Sequence, residues 1–579
     1  MTEFKQHAQN LIAKKDFIAL EKFLSQPPDG CEQLAAELTL YSLVEQGRSF
    51  EQLEAPFDQY LDKYLDSMPV SNLEMAAQLK FRLKKFEDAV KYSGMVLDKK
   101  DDIEIAEIAA ISLFNLEKNK MGSKLVDQLI ATKPADTRYY EWYILFNFKL
   151  AEYQKVIEGW EILNQRAFEL TQTNSVLVFV VRSFIYRGQL SKALEILDQY
   201  QLESQRDDIE VGLMLAEVNK ASENYEEAEK ILRNLVVRYP DLPEARWNLS
   251  LILLSQAKLK EGWDFYESRW SWSQFPSTPR SFDCPKWDGF SDLDGRRLLI
   301  WGEQGIGDQL RFLTLLPNLL DKYPSHLITL ECDAKIVTLV KMWFPELEVQ
   351  AFGLNDTRGT QQYSQFDAHY PSGSLPRIFL PQISDKCNLK FRRLKVSQEK
   401  KDELLGSFMS SKKMLVGISW RSMLMMKTRV DDYFDVTAFA QMIDEAPIDI
   451  GFVSLQYDIS ERERRILSRF TNVFIPDRDF LNDVHENAFY AGSVDVLFSV
   501  GTVVATCAGI FGVPVVSWSR FDDPVNLGQA ANPWFPNRLD FKTKPNWDKT
   551  TLLTRLSRVL NSYYEKACAR ECKKSDLRA

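Results

Sequence analysis

Residues 298–311 read Leu298-Leu299-Ile300-Trp301-Gly302-Glu303-Gln304-Gly305-Ile306-Gly307-Asp308-Gln309-Leu310-Arg311. A short apolar run leads into a glycine-rich loop, and apolar residues then recur at helical spacing. This pattern predicts a strand, a tight loop and the start of a helix. Glycines let a ligand approach the backbone, and a helix N-terminus presents unpaired N–H groups. Asp308 then lies either at the mouth of a ligand crevice or simply at the helix N-cap, and the loop alone leaves both interpretations open.

Strands and helices alternate through the rest of this half of the chain, which predicts parallel sheets. Two glycine-associated strands, near Gly302 and Gly417, indicate two Rossmann-like lobes that meet near residue 400. Ligands would then bind between the lobes, at the C-terminal ends of the strands. The predicted strands are Arg297–Trp301, Leu327–Glu331, Met414–Ser419, Ile448–Ser454, Val494–Ser499 and Val513–Ser517.

The first half of the chain contains an internal repeat of helix-opening phrases. Successive phrases are 33, 36, 35, 32, 37, 35 and 34 residues apart, and they begin at Phe17, Phe50, Phe86, Met121, Tyr153, Leu190, Tyr225 and Leu259. A period near 34 built from helix pairs resembles the tetratricopeptide repeat family. Such an array stacks into a superhelix whose concave surface binds polypeptide segments. Either that surface or the core between the helices holds the aromatic residues Tyr139, Tyr140, Trp142, Tyr143 and Phe146.

The expected architecture is an α solenoid of tetratricopeptide-like repeats followed by an α/β domain of two lobes. We predict repeats over residues 1–270 and an ordered, proline- and tryptophan-rich linker over residues 271–295. The N-terminal lobe would cover residues 296–400. The C-terminal lobe would cover residues 401–579 and end in a helix.

Composition excludes several classes of function. A net charge of −10 gives no electrostatic footprint for nucleic acid. No run of 18 apolar residues is present, residues 1–7 lack an apolar signal core, and the cysteines are scattered, so we expect a reduced, cytoplasmic protein. Two Asp-x-Asp phrases, at Asp292–Asp294 and Asp477–Asp479, are more typical of turns than of a metal site, so no metal is expected.

Several motifs of the second half follow one another in a set order. They are Pro285–Gly289, Trp301–Asp308, Val416–Ser422, Phe452–Tyr457, Val500–Thr502, Ala508–Pro514 and Pro533–Pro536. Together they resemble, in the same order, the glycosyltransferase-like domain that follows repeats in many bacterial proteins, which has the two-lobe GT-B fold and is related to the lipopolysaccharide heptosyltransferases. Repeats joined to this domain also resemble flagellin glycosyltransferases and, more distantly, O-GlcNAc transferases. The resemblance implies that residues 296–400 form the acceptor side and residues 401–579 the nucleotide-sugar side.

The chain departs from that family in one late loop. Relatives often carry Asp and His close to the donor at the positions that Gly501 and Thr506 occupy here. The departure puts a heptose donor in doubt and opens the alternative that the domain has lost its activity. The Gly501 loop still offers backbone N–H groups that can hold a phosphate.

The resemblance assigns Asp308 as the catalytic base. If Asp308 is only a helix cap, Glu303 is the next candidate. Arg421 follows a predicted strand and can meet a donor phosphate as a planar fork, although a surface ion pair is the alternative. No cofactor is expected beyond the co-substrate, a CMP- or UDP-linked sugar. The predicted donor- and substrate-binding residues are Gln304, Gly305, Gly307, Trp420, Arg421, Lys427, Arg429, Gln456, Gly501 and Thr502.

Three functions compete at this point. The first is a metal-independent protein O-glycosyltransferase that moves a nonulosonic acid or an N-acetylhexosamine to Ser or Thr of a repeat-bound polypeptide. Flagellin is the acceptor that the resemblance implies. The second is a non-catalytic repeat scaffold with a decayed transferase domain. The third is a transferase for a glycan or lipid acceptor.

Overall fold

The structure is a computed structural model that describes residues 2–165, 173–352, 363–382, 384, 389–422, 433–519, 524–543 and 549–576. The chain divides into two compact units, residues 1–183 and 184–579. The division falls inside the helix Thr173–Tyr186. The boundaries predicted at residues 270, 295 and 400 stay predictions.

The first unit is built from consecutive helices, and most neighbours along the chain pack on one another. The helices are α1 (Thr2–Ala13), α2 (Phe17–Leu24), α3 (Glu32–Glu45), α4 (Phe50–Tyr64), α5 (Val70–Arg82), α6 (Phe86–Leu97), α7 (Ile103–Asn115), α8 (Asn119–Thr132), α9 (Thr137–Lys149), α10 (Tyr153–Asn164) and α11 (Thr173–Tyr186). Of the aromatic residues on α9, Tyr139, Tyr140 and Phe146 are buried, whereas Trp142 and Tyr143 are half-buried. Most of this cluster is therefore core.

The turn inside each helix pair has the same backbone conformation in both units. One residue just before the second helix takes a left-handed φ of +55° to +70°, namely Lys15, Gly47, Lys84, Glu117, Ala151, Gly188, Glu223 and Ala257. A left-handed residue ends a helix and reverses the chain. Seven of the eight phrases begin at the first residue of a helix, and the phrase at Met121 begins two residues after the start of its helix at Asn119. The tetratricopeptide-like array is thus confirmed.

The second unit begins with the remaining repeat helices and continues into a parallel sheet. The helices are α12 (Leu190–Gln199), α13 (Ile209–Ala221), α14 (Tyr225–Arg238), α15 (Pro243–Ser255) and α16 (Leu259–Tyr266). The sheet has the order β3-β2-β1-β4. Its elements are β1 (Leu298–Trp301), α17 (Ile306–Leu313), α18 (Leu316–Leu320), β2 (Ile328–Asp333), α19 (Val337–Trp343), β3 (Glu348–Phe352), β4 (Ala368–Pro371) and α20 (Leu375–Phe379).

The second lobe contains a larger parallel sheet of order β10-β9-β8-β5-β6-β7. Its central strands are fully buried, as expected when helices cover both faces of a parallel sheet. Its elements are α21 (Gln398–Ser410), β5 (Met414–Ser419), α22 (Val436–Asp444), β6 (Ile450–Ser454), α23 (Glu461–Leu467), β7 (Val473–Phe474), α24 (Val484–Gly492), β8 (Val496–Val500), α25 (Val503–Ile510), β9 (Val515–Ser519), β10 (Arg538–Lys542) and α26 (Lys549–Asp576).

Both sheets have the doubly wound topology, which confirms the predicted fold of two Rossmann-like lobes. The strand order reverses between β1 and β4 in the first lobe and between β5 and β8 in the second. In such sheets ligands bind beyond the C-terminal ends of the strands at the reversal. The loops that follow β1, β5 and β8 are therefore the expected ligand-binding loops.

The tryptophans between the repeats and the first sheet pack on both neighbours. Trp272 stacks on Trp247 of α15 at a centroid distance of 5.5 Å, and Trp270 lies 5.1 Å from Trp301 at the end of β1. Among the described residues, no helix is long and apolar enough to cross a membrane.

Candidate active site

A cleft of about 410 Å³ opens between the two lobes. It is lined by loops that follow the C-terminal ends of several strands, including Gly305–Asp308 after β1, Lys335 after β2, Ser422 after β5, Tyr457 after β6 and Gly501–Thr502 after β8. Both reversals of strand order therefore face one space. Of the predicted site residues, the structure brings Gly305, Gly307, Asp308, Gly501 and Thr502 to this cleft.

Asp308 lies in the first turn of α17 and faces the cleft. The N-cap of that helix is Gly305, so the alternative that Asp308 is the capping residue is wrong. Its side chain is 33% exposed, and Oδ1 lies 2.6 Å from Nη2 of Arg311. The carboxylate is thus accessible to a ligand while one of its oxygens is held by an arginine of the same helix.

Gly501 and Thr502 contribute backbone and a hydroxyl to the opposite wall. Thr502 is the N-cap of α25, its φ is −123°, and its Oγ1 lies 3.3 Å from Oγ of Ser499. Thr506 also lines the cleft. The start of α25 therefore faces the cleft with the hydroxyl groups of Thr502 and Thr506.

Arg421 does not line the cleft. Its Nε and Nη2 donate to the Glu463 carboxylate at 3.0 and 2.9 Å, and Nη2 also donates to the Asp458 carbonyl oxygen at 2.6 Å. Nη1 pairs with the Asp458 carboxylate. Burial raises the pKa of Glu463, but hydrogen bonds from Arg421 and its neighbours outweigh that effect and hold the pKa at about 2. The guanidinium group of Arg421, which the sequence analysis expected to bind a donor phosphate, is therefore bound by two acidic residues of the same lobe.

Gln456 and Trp420 also serve this internal network. Gln456 is 3% exposed, and its Oε1 accepts from the backbone N–H groups of Trp420 and Arg421 at 3.1 and 3.2 Å. The fully buried Trp420 donates from Nε1 to Glu463 at 2.8 Å. These side chains fasten the end of β5 to the end of β6, and neither lines the cleft.

Gln304 has a left-handed φ of +61° and points its side chain toward the repeats, where Nε2 donates to the hydroxyl of Tyr266. It does not line the cleft. The remaining two predicted donor residues, Lys427 and Arg429, lie outside the described residues.

Glu303, the second candidate base, is fully buried beside Arg269, which is also fully buried. Its Oε2 accepts from Nε and Nη2 of Arg269 at 3.2 and 3.1 Å. A Cβ at Gly373 would lie 1.6 Å from Oε1 of Glu303, so only glycine leaves room for the carboxylate. Burial raises the pKa of Glu303 to about 7, although Arg269 opposes the rise. Glu303 does not line the cleft, and it joins the last repeat to β1.

Sequence reasoning missed three cations that line the cleft, Arg311, Lys335 and Arg538. Arg538 is 8% exposed in its side chain, and its Nε lies 2.6 Å from Oδ1 of Asp540. Lys335 donates from Nζ to the carbonyl oxygen of Leu481 at 3.0 Å. Arg311 was detectable from its position three residues after Asp308. Arg538 follows the Pro533–Pro536 motif, but nothing in the sequence near Lys335 separates it from other lysines.

The two Asp-x-Asp phrases form turns. Asp292 Oδ1 accepts from the N–H of Asp294 at 3.2 Å, and Asp479 Oδ1 accepts from the N–H groups of Leu481 and Asn482 at 3.1 and 3.2 Å. Within the described part of the chain, no group of three His, Cys, Asp or Glu residues is arranged to hold a metal ion.

Comparison with known proteins gives partial similarities. No family model matches the chain. Protein FlbA of Caulobacter vibrioides is 26% identical over 330 residues, which are 54% of this chain and 54% of the relative. The chain therefore spans about half the length of the curated relative that it matches.

Solved structures match each half separately. ADP-heptose LPS heptosyltransferase II of E. coli is 14% identical, with 48% of this chain and 99% of that chain covered and a TM-score of 0.37. A tetratricopeptide repeat protein from Parabacteroides merdae is 12% identical, with 44% of this chain and 98% of that chain covered and a TM-score of 0.26. The fold assignment rests on the strand order and helix pairing described above.

Proposed function

We propose that this protein is a glycosyltransferase that moves a sugar from a nucleotide-sugar donor to a Ser or Thr hydroxyl of a polypeptide held by its repeats. The observation that carries the proposal is the cleft itself. One partly exposed carboxylate, Asp308, shares the space at the reversals of both sheets with the cations Arg311, Lys335 and Arg538. A carboxylate that accepts a proton and cations that receive a phosphate are the two requirements of this reaction.

The proposed reaction needs two movements of charge. Asp308 takes the proton of the acceptor hydroxyl while the hydroxyl oxygen bonds to the anomeric carbon of the donor sugar. The bond between that carbon and the donor phosphate breaks, and its electron pair leaves on the phosphate oxygen. Lys335 and the N–H groups at the start of α25 lie in the same cleft and stabilise that negative charge. Arg311 fixes the orientation of Asp308.

The donor is a CMP-linked nonulosonic acid or a UDP-linked N-acetylhexosamine, and the acceptor is flagellin, both by resemblance. The reaction needs no metal in this proposal, because side chains and backbone groups of the protein receive the leaving phosphate. The cytoplasm is the proposed place of action.

Intact-mass spectrometry of flagellin tests the proposal. Flagellin from the source organism is co-expressed with and without the full chain. The proposal predicts an added mass of one or more sugar residues that appears only with the chain. Unmodified flagellin together with an altered glycolipid would instead identify a glycan or lipid acceptor.

A scaffold without activity is the second candidate, and two observations favour it. By the family resemblance, Gly501 and Thr506 stand at positions where related transferases often carry Asp and His near the donor, and Arg421 is held by Asp458 and Glu463. A scaffold would bind flagellin through the repeats without changing its mass and would not bind nucleotide sugars. Thermal unfolding with a panel of CMP- and UDP-sugars separates the two candidates, because a ligand of the folded state raises the unfolding temperature.

A further inference from the structure

A second cavity, of about 250 Å³, lies between the repeat helices and the second lobe. Tyr225 at the start of α14 and Ser255 at the end of α15 line it from the repeat side, and Asn526, Gln529 and Asp540 line it from the lobe. The two sides touch closely, because a Cβ at Gly528 would lie 2.3 Å from the carbonyl oxygen of Ser255. The last repeats therefore form one wall of a cavity whose other wall belongs to the transferase-like domain.

Strand β10 connects this cavity with the cleft. Side chains alternate along a strand, so Arg538, Asp540 and Lys542 share one face of β10, with about 7 Å between successive members. Arg538 lines the cleft, whereas Asp540 and Lys542 line the second cavity. The loop before β10 also borders both spaces, because Val525 lines the cleft and the next residue, Asn526, lines the cavity. The two spaces are thus neighbours along one strand face.

The chemistry of the cavity wall is polar but electrically balanced. Asp540 accepts from Arg538 at 2.6 Å and from Asn532 at 3.1 Å, and Lys542 pairs with Glu223 at 3.1 Å. Hydroxyl and amide groups supply much of the remaining polar surface. Paired charges repel neither sign strongly, and hydroxyl and amide groups match the hydrogen bonds of a peptide backbone and of Ser, Thr, Asn or Gln side chains. Such a wall suits an uncharged, hydroxyl-rich segment.

We propose that this cavity is the acceptor subsite, in which an extended, hydroxyl-rich segment of the polypeptide passes along β10 from the repeats to the cleft. The inference rests on the proposed transfer of sugar to a polypeptide. It adds that the last repeats and β10 select the residues that flank the modified Ser or Thr. Contacts in the second cavity, away from the donor, therefore determine part of the specificity for the acceptor.

The test uses substitutions by tryptophan at the rim of the cavity, whose side chains would fill part of it. Ala530 lines it and is exposed, so Ala530→Trp narrows the passage with little effect on folding, and Gln529→Trp does the same from the neighbouring position. Ala530→Ser is the matched control. Purified, unmodified flagellin is the acceptor probe, with the full chain as enzyme. Flagellin KM, donor affinity and the slow hydrolysis of donor without acceptor are measured for each variant, after thermal unfolding has confirmed folding.

Both tryptophan variants are expected to raise the KM for flagellin at least tenfold, with donor affinity and donor hydrolysis changed by less than threefold and the serine variant unchanged. An unchanged flagellin KM in folded tryptophan variants would overturn the acceptor subsite and leave the proposed function intact. An equal loss of donor affinity would also overturn it. A wild-type chain that hydrolyses no donor and modifies no flagellin would instead contradict the proposed function.

Discussion

Nη2 of Arg311 lies 2.6 Å from Oδ1 of Asp308, one helical turn apart on α17. A charge-assisted hydrogen bond of this length fixes the carboxylate in one orientation. The arginine is 17% exposed and the aspartate 33% exposed in their side chains, so the pair lies at the wall of the cleft and not deep inside the protein.

Loss of this pair should affect transfer more than stability. Arg311→Met is expected to lower the rate of transfer at least tenfold, because an unfixed base spends less time in the reactive geometry. The free energy of unfolding should change by about 1 kcal/mol or less, as for other partly exposed ion pairs. Denaturant unfolding and single-turnover transfer measure the two effects. A large loss of stability with full activity per folded molecule would show that Arg311 is structural only.

Loss of the Arg421 side chain should instead affect stability more than donor binding. Arg421→Ala leaves the largely buried Glu463 carboxylate without its main partner, so we expect a loss of about 3–5 kcal/mol in the free energy of unfolding. Donor affinity per folded molecule should change less than twofold. Arg462→Ala is the matched control, because Arg462 is exposed and solvent screens its pair with Asp435, so its loss should change stability little. A clear loss of donor affinity in folded Arg421→Ala would contradict this prediction and show that Arg421 contributes to donor binding.

The same pair predicts a dependence on pH. The pKa of Glu463 is held at about 2, below its ordinary value of 4.5. The folded protein therefore prefers the ionised carboxylate, and the resulting stability is complete above pH 4.5 and is lost as the pH falls toward 2. In Arg421→Ala this acid-dependent part of the stability should shrink. Parallel acid unfolding curves of the variant and the wild type would contradict the assignment.

Glu303 predicts a pH dependence of the opposite sign. Its pKa in the folded protein is about 7 against an ordinary 4.5, so stability falls as the pH rises through this window. Glu303→Gln has no proton to lose, so its stability relative to the wild type should rise across the same window by on the order of 1–3 kcal/mol. Transfer per folded molecule should stay near the wild-type rate. A rate reduced 100-fold in the folded variant would make Glu303 the base.

Substitution of Lys335 tests whether the cations that the sequence did not identify contribute to donor binding. Lys335→Met should weaken binding of the nucleotide sugar by about 10- to 100-fold, the scale of one charge-assisted hydrogen bond. Lys341→Met, on the exposed surface of α19, removes the same charge from the same lobe and should leave binding unchanged. Calorimetry compares the two variants. Equal affinities would remove Lys335 from the donor site.

The core of the fold could be predicted because central strands carry continuous apolar runs. All six predicted strands are present, with shifts of a few residues at their ends. The four strands that the sequence did not reveal, β3, β4, β7 and β10, are the two edges of each sheet. Edge strands are shorter or partly exposed, and β10 reads Arg538-Leu539-Asp540-Phe541-Lys542, so no apolar run marks it.

The site could be predicted only where backbone geometry decides it. Glycine loops after β1 and β8 brought Asp308 and Thr502 to the cleft, because the ends of doubly wound strands converge there. The side chain of Arg421 starts near the same edge, but Asp458 and Glu463 compete for it, and a sequence does not show such internal partners. Lys335 reaches the cleft from outside any motif, so only the folded chain reveals it.

The rate of sugar transfer by Asp308→Asn tests the central claim most directly. Asparagine keeps the size of the side chain but cannot accept the proton, so we predict folding and donor affinity near those of the wild type and transfer to flagellin reduced at least about 100-fold. Arg311→Met, measured alongside, separates loss of the base from loss of its orientation. Transfer by folded Asp308→Asn at the wild-type rate would contradict the account.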